Sequence, residues 1–315
     1  DTPYQLRISA AGSFDGLRFV PCSRKVPETG QVELEIRATG LNFSDVLKAL
    51  GLYPGIRDEI VPLGIEASGT VVAVGEGVDR FKIGDAVLGV VPYAFASHAI
   101  TAEYALTPKP ENLDYKQACT IPIPFLTAYY ALVDLARIQP GERLLIHAGA
   151  GGVGLAAIQI AQHVGAEIFA TVGSEAKRDY LKSLGIKHLY NSRTLEFRDQ
   201  ILAETHREGV DVVLNSLPGA AITQSLSVLR AYGRFLEIGK TDIYQDAKIG
   251  LLPFQDNLSY FAIDLDRMLR QKPTAIRKLF AEVMQHFDSG AYKPPVFTQF
   301  EADQTIGAFR YMSQR

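Results

Sequence analysis

Residues 143–162, RLLIHAGAGGVGLAAIQIAQ, limit the fold of this chain more than any other stretch. The apolar run RLLIH leads into Gly149, Gly151 and Gly154, spaced Gly-x-Gly-x-x-Gly, and a helical pattern follows. In such a loop the first glycine permits a tight turn, and the second lets backbone approach a pyrophosphate. The third lets the helix pack close to the strand. The helix start offers free N–H groups and the positive end of its dipole to phosphate. The spacing alone is a weak signal, but between a strand and a helix it becomes a strong one. It predicts a dinucleotide site on Gly149, Gly151, Gly152, Val153 and Gly154; the competing reading is a purely structural glycine turn.

The surrounding pattern agrees. EIFATV (167–172), VDVVLNS (210–216) and GRFLEIG (233–239) are further short apolar runs. Helical segments separate them: VGLAAIQIAQHV, EAKRDYLKSL and AAITQSLSVLR. Such alternation predicts a parallel sheet covered on both faces. Upstream, QVELEIRA alternates like a half-buried strand, and GTVVAVGEGVDRFKIGDAVLGVV places glycines at turns. NLSYFAIDL (257–265) is a further strand candidate, and RKLFAEVMQHFDSG reads as an amphipathic helix stopped by Gly290. The expected architecture is α/β. A doubly wound Rossmann sheet over residues 119–259 is inserted into a mostly-β domain made of 1–118 and 260–315.

Composition excludes several classes. At 315 residues and 47% hydrophobic, the chain has material for about two well-buried domains. A net charge of −3 argues against a nucleic-acid binder. Two cysteines, Cys22 and Cys119, are too few for a disulfide framework or a four-cysteine zinc knot. No signal peptide is legible, and no apolar run approaches the roughly 20 residues of a membrane span, so a cytoplasmic location is expected. The chain begins at Asp1 and ends at Arg315 within the helical pattern AFRYMSQR, which suggests a segment of a larger polypeptide.

The second strand speaks to the cofactor. An NAD enzyme usually carries Asp or Glu at its end to bind the ribose. Here EIFATV runs into Gly173-Ser174-Glu175-Ala176-Lys177-Arg178, and Glu175 falls past that place. Ser174, Lys177 and Arg178 can instead form an anion site, joined by Tyr190 and Arg193 beyond the third strand. Such a group suits a 2′-phosphate, so NADPH is expected over NADH. The competing roles are a helix N-cap for Ser174 and solvated surface charge for Lys177 and Arg193.

Further motifs occur in order: LNFSDVLKALGLYPG (41–55), GIEASGTVVAVG (64–75), IPFLTAYYALVDLA (123–136), YNSRTLEF (190–197), VDVVLNSL (210–217), GRFLEIGK (233–240) and AFRYM (308–312). With the glycine loop they resemble the enoylreductase domain of modular polyketide synthases, in the medium-chain dehydrogenase/reductase superfamily. The resemblance covers nearly the whole chain. It implies a GroES-like substrate domain beside the Rossmann domain. It also implies NADPH-dependent reduction of an enoyl thioester on acyl carrier protein, with neighbouring megasynthase domains as partners. Zinc-dependent relatives carry His where Ile65 stands, and isoleucine cannot ligate a metal, so no metal is expected.

Reduction of such a thioester needs hydride at Cβ, a donor for the enolate oxygen and a proton at Cα. The resemblance makes Tyr53, in GLYPG, a candidate proton donor; packing against an acyl channel is its other role. Lys240 follows GRFLEIG at the sheet edge where ligands bind. Asp264 is a carboxylate in an apolar strand, and the family pairs the matching lysine and aspartate in protonation. The alternative for this pair is a structural salt bridge between domains. Asn42 and Thr127 match positions at the nicotinamide end, and Asn215, Ser216, Leu217, Ile238 and Gly239 are expected to border the cofactor. Ser44 stands where many family members carry arginine, and His147 reads as structural. Three other outcomes remain open: a quinone oxidoreductase, a catalytically silent domain, and a cyclopropanase acting on a γ-halogenated enoyl thioester.

Overall fold

A computed structural model describes residues 2–10, 12–54 and 61–314. Gly55 of the GLYPG motif and Arg315 lie outside the described residues. The chain divides into two compact units, Asp1–Ile123 with Arg267–Arg315, and Pro124–Asp266.

In the first unit, strands β1 (Tyr4–Ile8) and β2 (Leu17–Pro21) form an antiparallel pair. The others are β3 (Gln31–Thr39), β4 (Glu66–Val74), β5 (Ala86–Val90), β6 (His98–Ala102) and β7 (Leu106–Pro108). They make an antiparallel sheet in the order β6-β3-β4-β5-β7. QVELEIRA is part of β3, but it does not alternate cleanly: Glu33 is buried between Val32 and Leu34. Its carboxylate is held by the Arg24 guanidinium at 2.8 and 2.7 Å. Val32, Leu34, Val71, Val87 and Leu106 form the core of this sheet. The tail returns as helices Pro273–Asp288 and Thr305–Ser313. Phe309 is fully buried with Leu6, Leu17, Val46, Leu63 and Phe95. Burial of that size is worth roughly 2–3 kcal/mol per side chain.

The second unit carries β8 (Arg143–Ile146), β9 (Glu167–Val172), β10 (His188–Asn191), β11 (Val210–Asn215), β12 (Leu229–Glu237) and β13 (Ser259–Ala262). They pair in parallel in the order β10-β9-β8-β11-β12-β13, the doubly wound 3-2-1-4-5-6 arrangement. Leu144, Leu145, Val212, Val213, Phe235 and Leu236 have no exposed surface, as strands covered on both faces require. The order reverses between β8 and β11, and a doubly wound sheet binds ligands outside the strand ends there.

Three expectations need correction. AAITQSLSVLR is helical only over Ala220–Leu226, because Leu229 and Arg230 already belong to β12. NLSYFAIDL is a strand only over Ser259–Ala262, so Asp264 stands past the strand's end. The third concerns apolar length. The largely helical 21-residue stretch Tyr115–Leu135, of mean hydropathy 1.4, is long and apolar enough by length and composition to cross a membrane; 67% of that apolar window is buried inside the protein, as in a core helix.

Candidate functional site

The glycine loop follows β8 directly. Ala148 takes a left-handed φ of 51°, and its N–H donates to Thr171 Oγ1 at 3.2 Å. Gly149 N–H donates to Thr171 O at 2.9 Å, and Gly151 N–H to Ala148 O at 2.9 Å. These bonds fold the loop against β9. The glycines then differ in what a β-carbon would meet. At Gly154 it would stand 2.6 Å from Gly149 O, and at Gly149 it would stand 2.9 Å from Ala170 Cβ. Those two glycines allow close packing of helix, loop and strand. At Gly151 a β-carbon would meet only Ala148 O, at 3.2 Å. Gly151 and Gly152 are exposed, whereas Gly149 and Gly154 are buried. Helix Gly152–Val164 begins here, and among the described residues no side chain caps its N-terminus. Its first N–H groups are therefore available to an anion. The loop suits a dinucleotide pyrophosphate.

At the end of β9, Ser174 caps helix Glu175–Ser183 by accepting from Lys177 N–H at 3.4 Å. A β-carbon on Gly173 would meet Ser192 Oγ at 3.3 Å and Arg193 Nε at 3.4 Å. The loops after β9 and β10 thus bring Gly173, Ser192 and Arg193 together, next to Ser174 in sequence. Arg178 is committed elsewhere: its guanidinium donates to Leu189 O at 2.6 Å and lies 3.6 Å from Glu175. Tyr190 is 3% exposed, with its ring in the core beside Phe169, Phe197 and Ile201. Its hydroxyl donates to Glu204 at 2.7 Å, so the pleat turns the phenol into packing. Burial, with that carboxylate, pushes the phenol's pKa up.

At the ends of β11 and β12, Asn215 is fully buried. Its Nδ2 donates to Leu217 O at 2.9 Å and to Glu237 Oε2 at 2.8 Å. Its Oδ1 accepts from Leu217 N–H at 3.2 Å. Ser216, Leu217, Ile238 and Gly239 are half-buried around this pair. Glu237, which the sequence reading missed, is 3% exposed and is pushed up to about 7, chiefly by burial. A lone acid ending an apolar parallel strand was the available signal.

Lys240 Nζ lies 3.0 Å from Asp264 Oδ1, so the expected pair exists. It also lies 3.1 Å from Asp266 Oδ2, a second carboxylate not anticipated from sequence. All three side chains are partly accessible, at 20%, 29% and 38%. His147 is structural: Nδ1 meets Thr171 Oγ1 at 3.1 Å and Nε2 meets Ser225 Oγ at 2.7 Å. Burial lowers its pKa to about 3. Thr127 is 8% exposed on helix Pro122–Tyr129.

The first unit holds Asn42 and Tyr53. Asn42 precedes helix Phe43–Ala49, and its Nδ2 donates to Glu66 Oε1 at 2.7 Å. Glu66 Oε2 accepts from Ile123 N–H at 2.8 Å. Glu66 is 3% exposed; burial pushes it up to about 7 against those two bonds. Asp45 accepts from Asn42 N–H at 3.0 Å and from Gly64 N–H at 2.8 Å. Tyr53 is half-buried, with Lys48 Nζ 5.3 Å from its ring centroid. Ser44 Oγ is buried, and among the described residues it has no hydrogen-bond partner. Among the described residues no group of three His, Cys, Asp or Glu side chains is placed to hold a metal ion.

Comparison with known proteins follows this geometry. Residues 28–112 match the alcohol dehydrogenase GroES-like domain family, and residues 152–283 match the zinc-binding dehydrogenase family. A mycocerosic acid synthase-like polyketide synthase of Mycobacterium tuberculosis (strain ATCC 25618 / H37Rv) is 40% identical over 309 residues. That match takes in 98% of this chain but 15% of the relative, so the chain spans about one-seventh of that relative's length. The crystal structure of CurK enoyl reductase is 44% identical, with a TM-score of 0.92, over 100% of this chain and 96% of that one. The CurF cyclopropanase from the curacin A biosynthetic pathway is 37% identical, with a TM-score of 0.93 and the same coverage.

Proposed function

The chain belongs to the medium-chain dehydrogenase/reductase superfamily as a polyketide synthase enoylreductase domain, and from that premise we propose that it uses NADPH to saturate an enoyl thioester presented on acyl carrier protein. One observation carries the reading: the open start of helix Gly152–Val164, where Gly151 leaves room for a pyrophosphate, in a chain 44% identical to an enoyl reductase over its whole length.

When bound, the nicotinamide supplies hydride to Cβ of the substrate. This chain's residues do the rest. Backbone N–H groups at the start of the helix hold the pyrophosphate. Ser174, Lys177 and Arg193 receive the 2′-phosphate, which selects NADPH. As hydride arrives, negative charge grows on the thioester oxygen and Cα must gain a proton. Lys240, its ammonium oriented by Asp264 and Asp266, is the donor in the second unit. Tyr53, in the first unit, is the competing donor. Neighbouring domains of a megasynthase deliver the substrate.

A second outcome shares the hydride step. If Cγ carries a halide, the Cα carbanion displaces it and closes a cyclopropane instead of taking a proton. The higher identity to CurK enoyl reductase, 44% against 37% for the CurF cyclopropanase, favours plain reduction. The test is incubation with NADPH and carrier-bound enoyl substrates, with and without a γ-halogen, read by product mass. Gain of two hydrogens supports reduction, and loss of halide with ring closure supports the second outcome. Folded protein that consumes no NADPH with any enoyl thioester overturns both.

A further inference from the structure

Glu237 ends β12 beside Phe235 and Leu236, both without exposed surface. Its two oxygens face two N–H donors. Oε2 accepts from Asn215 Nδ2 at 2.8 Å, and Oε1 accepts from Gly239 N–H at 2.6 Å. Neither donor can become an acceptor. Gly239 offers a backbone N–H. The Asn215 amide is locked, because its Oδ1 accepts from Leu217 N–H at 3.2 Å while Nδ2 also donates to Leu217 O at 2.9 Å. Turning that amide over would set donor against donor and acceptor against acceptor. A bare carboxylate satisfies both partners with acceptor sites to spare. A protonated carboxyl accepts more weakly through its hydroxyl oxygen, and a glutamine must point an N–H at one of the two donors.

The two partners belong to different loops. Asn215 and Leu217 shape the turn after β11, while Gly239 lies in the turn after β12, where Ile238 N–H also donates to Asn215 O at 3.0 Å. We propose that Glu237 is a positioning residue for the dinucleotide: as a double acceptor it ties these two strand-end loops together, and it holds them most firmly while ionised. The inference rests on the reading that these loops border NADPH.

The surroundings put this ionisation within the working pH range. Burial is the largest influence on Glu237, and the nearby Asp242 carboxylate acts in the same direction. The Asn215 and Gly239 bonds oppose them, and the result is a value of about 7. From β13, Tyr260 also faces Glu237; burial and that charge push its phenol up to about 12. Asp242 is itself engaged, accepting from Gly219 N–H at 3.2 and 3.1 Å. A fall in pH through about 7 therefore protonates Glu237 and weakens its tie between the loops, leaving the backbone bond from Ile238 N–H to Asn215 O.

The test titrates NADPH and NADH by fluorescence from pH 5.5 to 8.5, with thermal melting measured alongside. NADH lacks the 2′-phosphate and so separates that group's own titration. In the unmodified chain, affinity for both nucleotides is expected to weaken as pH falls below about 7. Glu237→Gln should weaken both on the order of tenfold at pH 8, keep a cooperative melt, and lack the acid-side weakening. Glu237→Asp keeps two acceptor oxygens and should retain the acid-side weakening with a smaller loss; it carries the test if Glu237→Gln does not fold. Equal affinities and identical pH profiles in all three chains overturn the inference and leave the functional reading intact. An unmodified chain that binds neither nucleotide overturns both.

Discussion

Asp266 Oδ2 lies 3.1 Å from Lys240 Nζ, almost as close as Asp264 Oδ1 at 3.0 Å. The lysine is thus held from two sides, and losing one carboxylate leaves the other. Asp264→Asn should therefore lower kcat less than Lys240→Ala, while Asp264→Asn/Asp266→Asn should approach the lysine variant. A general acid contributes about 10²–10⁴-fold, so Lys240→Ala should reduce kcat within that range and barely alter the Kd for NADPH. Steady-state kinetics on a pantetheine enoyl thioester decides. If Asp264→Asn alone equals Lys240→Ala, Asp266 is a bystander. If Tyr53→Phe abolishes turnover while all three acidic-site variants stay active, the proton comes from the tyrosine.

Gly151 and Gly154 separate binding from folding. A β-carbon at Gly151 meets one atom at 3.2 Å and otherwise open space, so Gly151→Val should fold and lose NADPH. At Gly154 a β-carbon falls 2.6 to 2.7 Å from the backbone of Ala148 and Gly149, which cannot move aside cheaply. Gly154→Ala should destabilise the fold by an amount typical of overpacking, roughly 1–3 kcal/mol, and lower the melting temperature accordingly. Melting curves and NADPH titrations on both variants check this. Retained affinity in Gly151→Val would put the nucleotide elsewhere.

The parallel sheet was legible because β8, β9, β11 and the end of β12 (Phe235, Leu236) are buried on both faces and read as short apolar runs. Their ends were less legible. Leu229 and Arg230 continue a helical pattern in sequence, yet Leu229 pairs with Val210 and joins the sheet. Asp264 and Lys240 could be picked out as single charges at apolar edges. Asp266 and Glu237 carry comparable charges, but their meaning lies in partners on other segments, which spacing does not reveal. Tyr190 failed for another reason: a residue's face in a strand depends on register, and register follows from which neighbour it pairs with. Its pairing with Thr171 turns the ring inward against Phe169.

Lys177 and Arg193 should distinguish the two nicotinamide dinucleotides. A charge-assisted hydrogen bond contributes about 1.5–3 kcal/mol, so Lys177→Ala should weaken NADPH by roughly one to two orders of magnitude and leave NADH nearly unchanged. Arg193→Ala should do the same, since its guanidinium stands over Gly173 at the end of β9. Arg178→Ala should show no such preference, because its guanidinium is spent on Leu189 O and Glu175. Parallel NADPH and NADH titrations measure the ratio. Equal losses for both cofactors would remove the 2′-phosphate from this site.

Stability should depend on pH through three buried groups. Glu66 and Glu237 rise from 4.5 to about 7, so between those values the folded state holds two protons that the unfolded chain has released. Stability therefore falls as pH rises across that window, by about 3 kcal/mol for each group. His147 falls from 6.5 to about 3, so between those values the unfolded chain holds a proton that the folded state lacks. Its contribution rises with pH. Where the windows overlap, two protons oppose one, leaving a net loss of about 1.4 kcal/mol per pH unit from these groups. Denaturant unfolding from pH 5 to 7.5 should show Glu66→Gln losing less stability than the unmodified chain as pH rises. The same slope in both would mean that Glu66 is ionised across the whole range, with its bonds to Asn42 and Ile123 outweighing its burial.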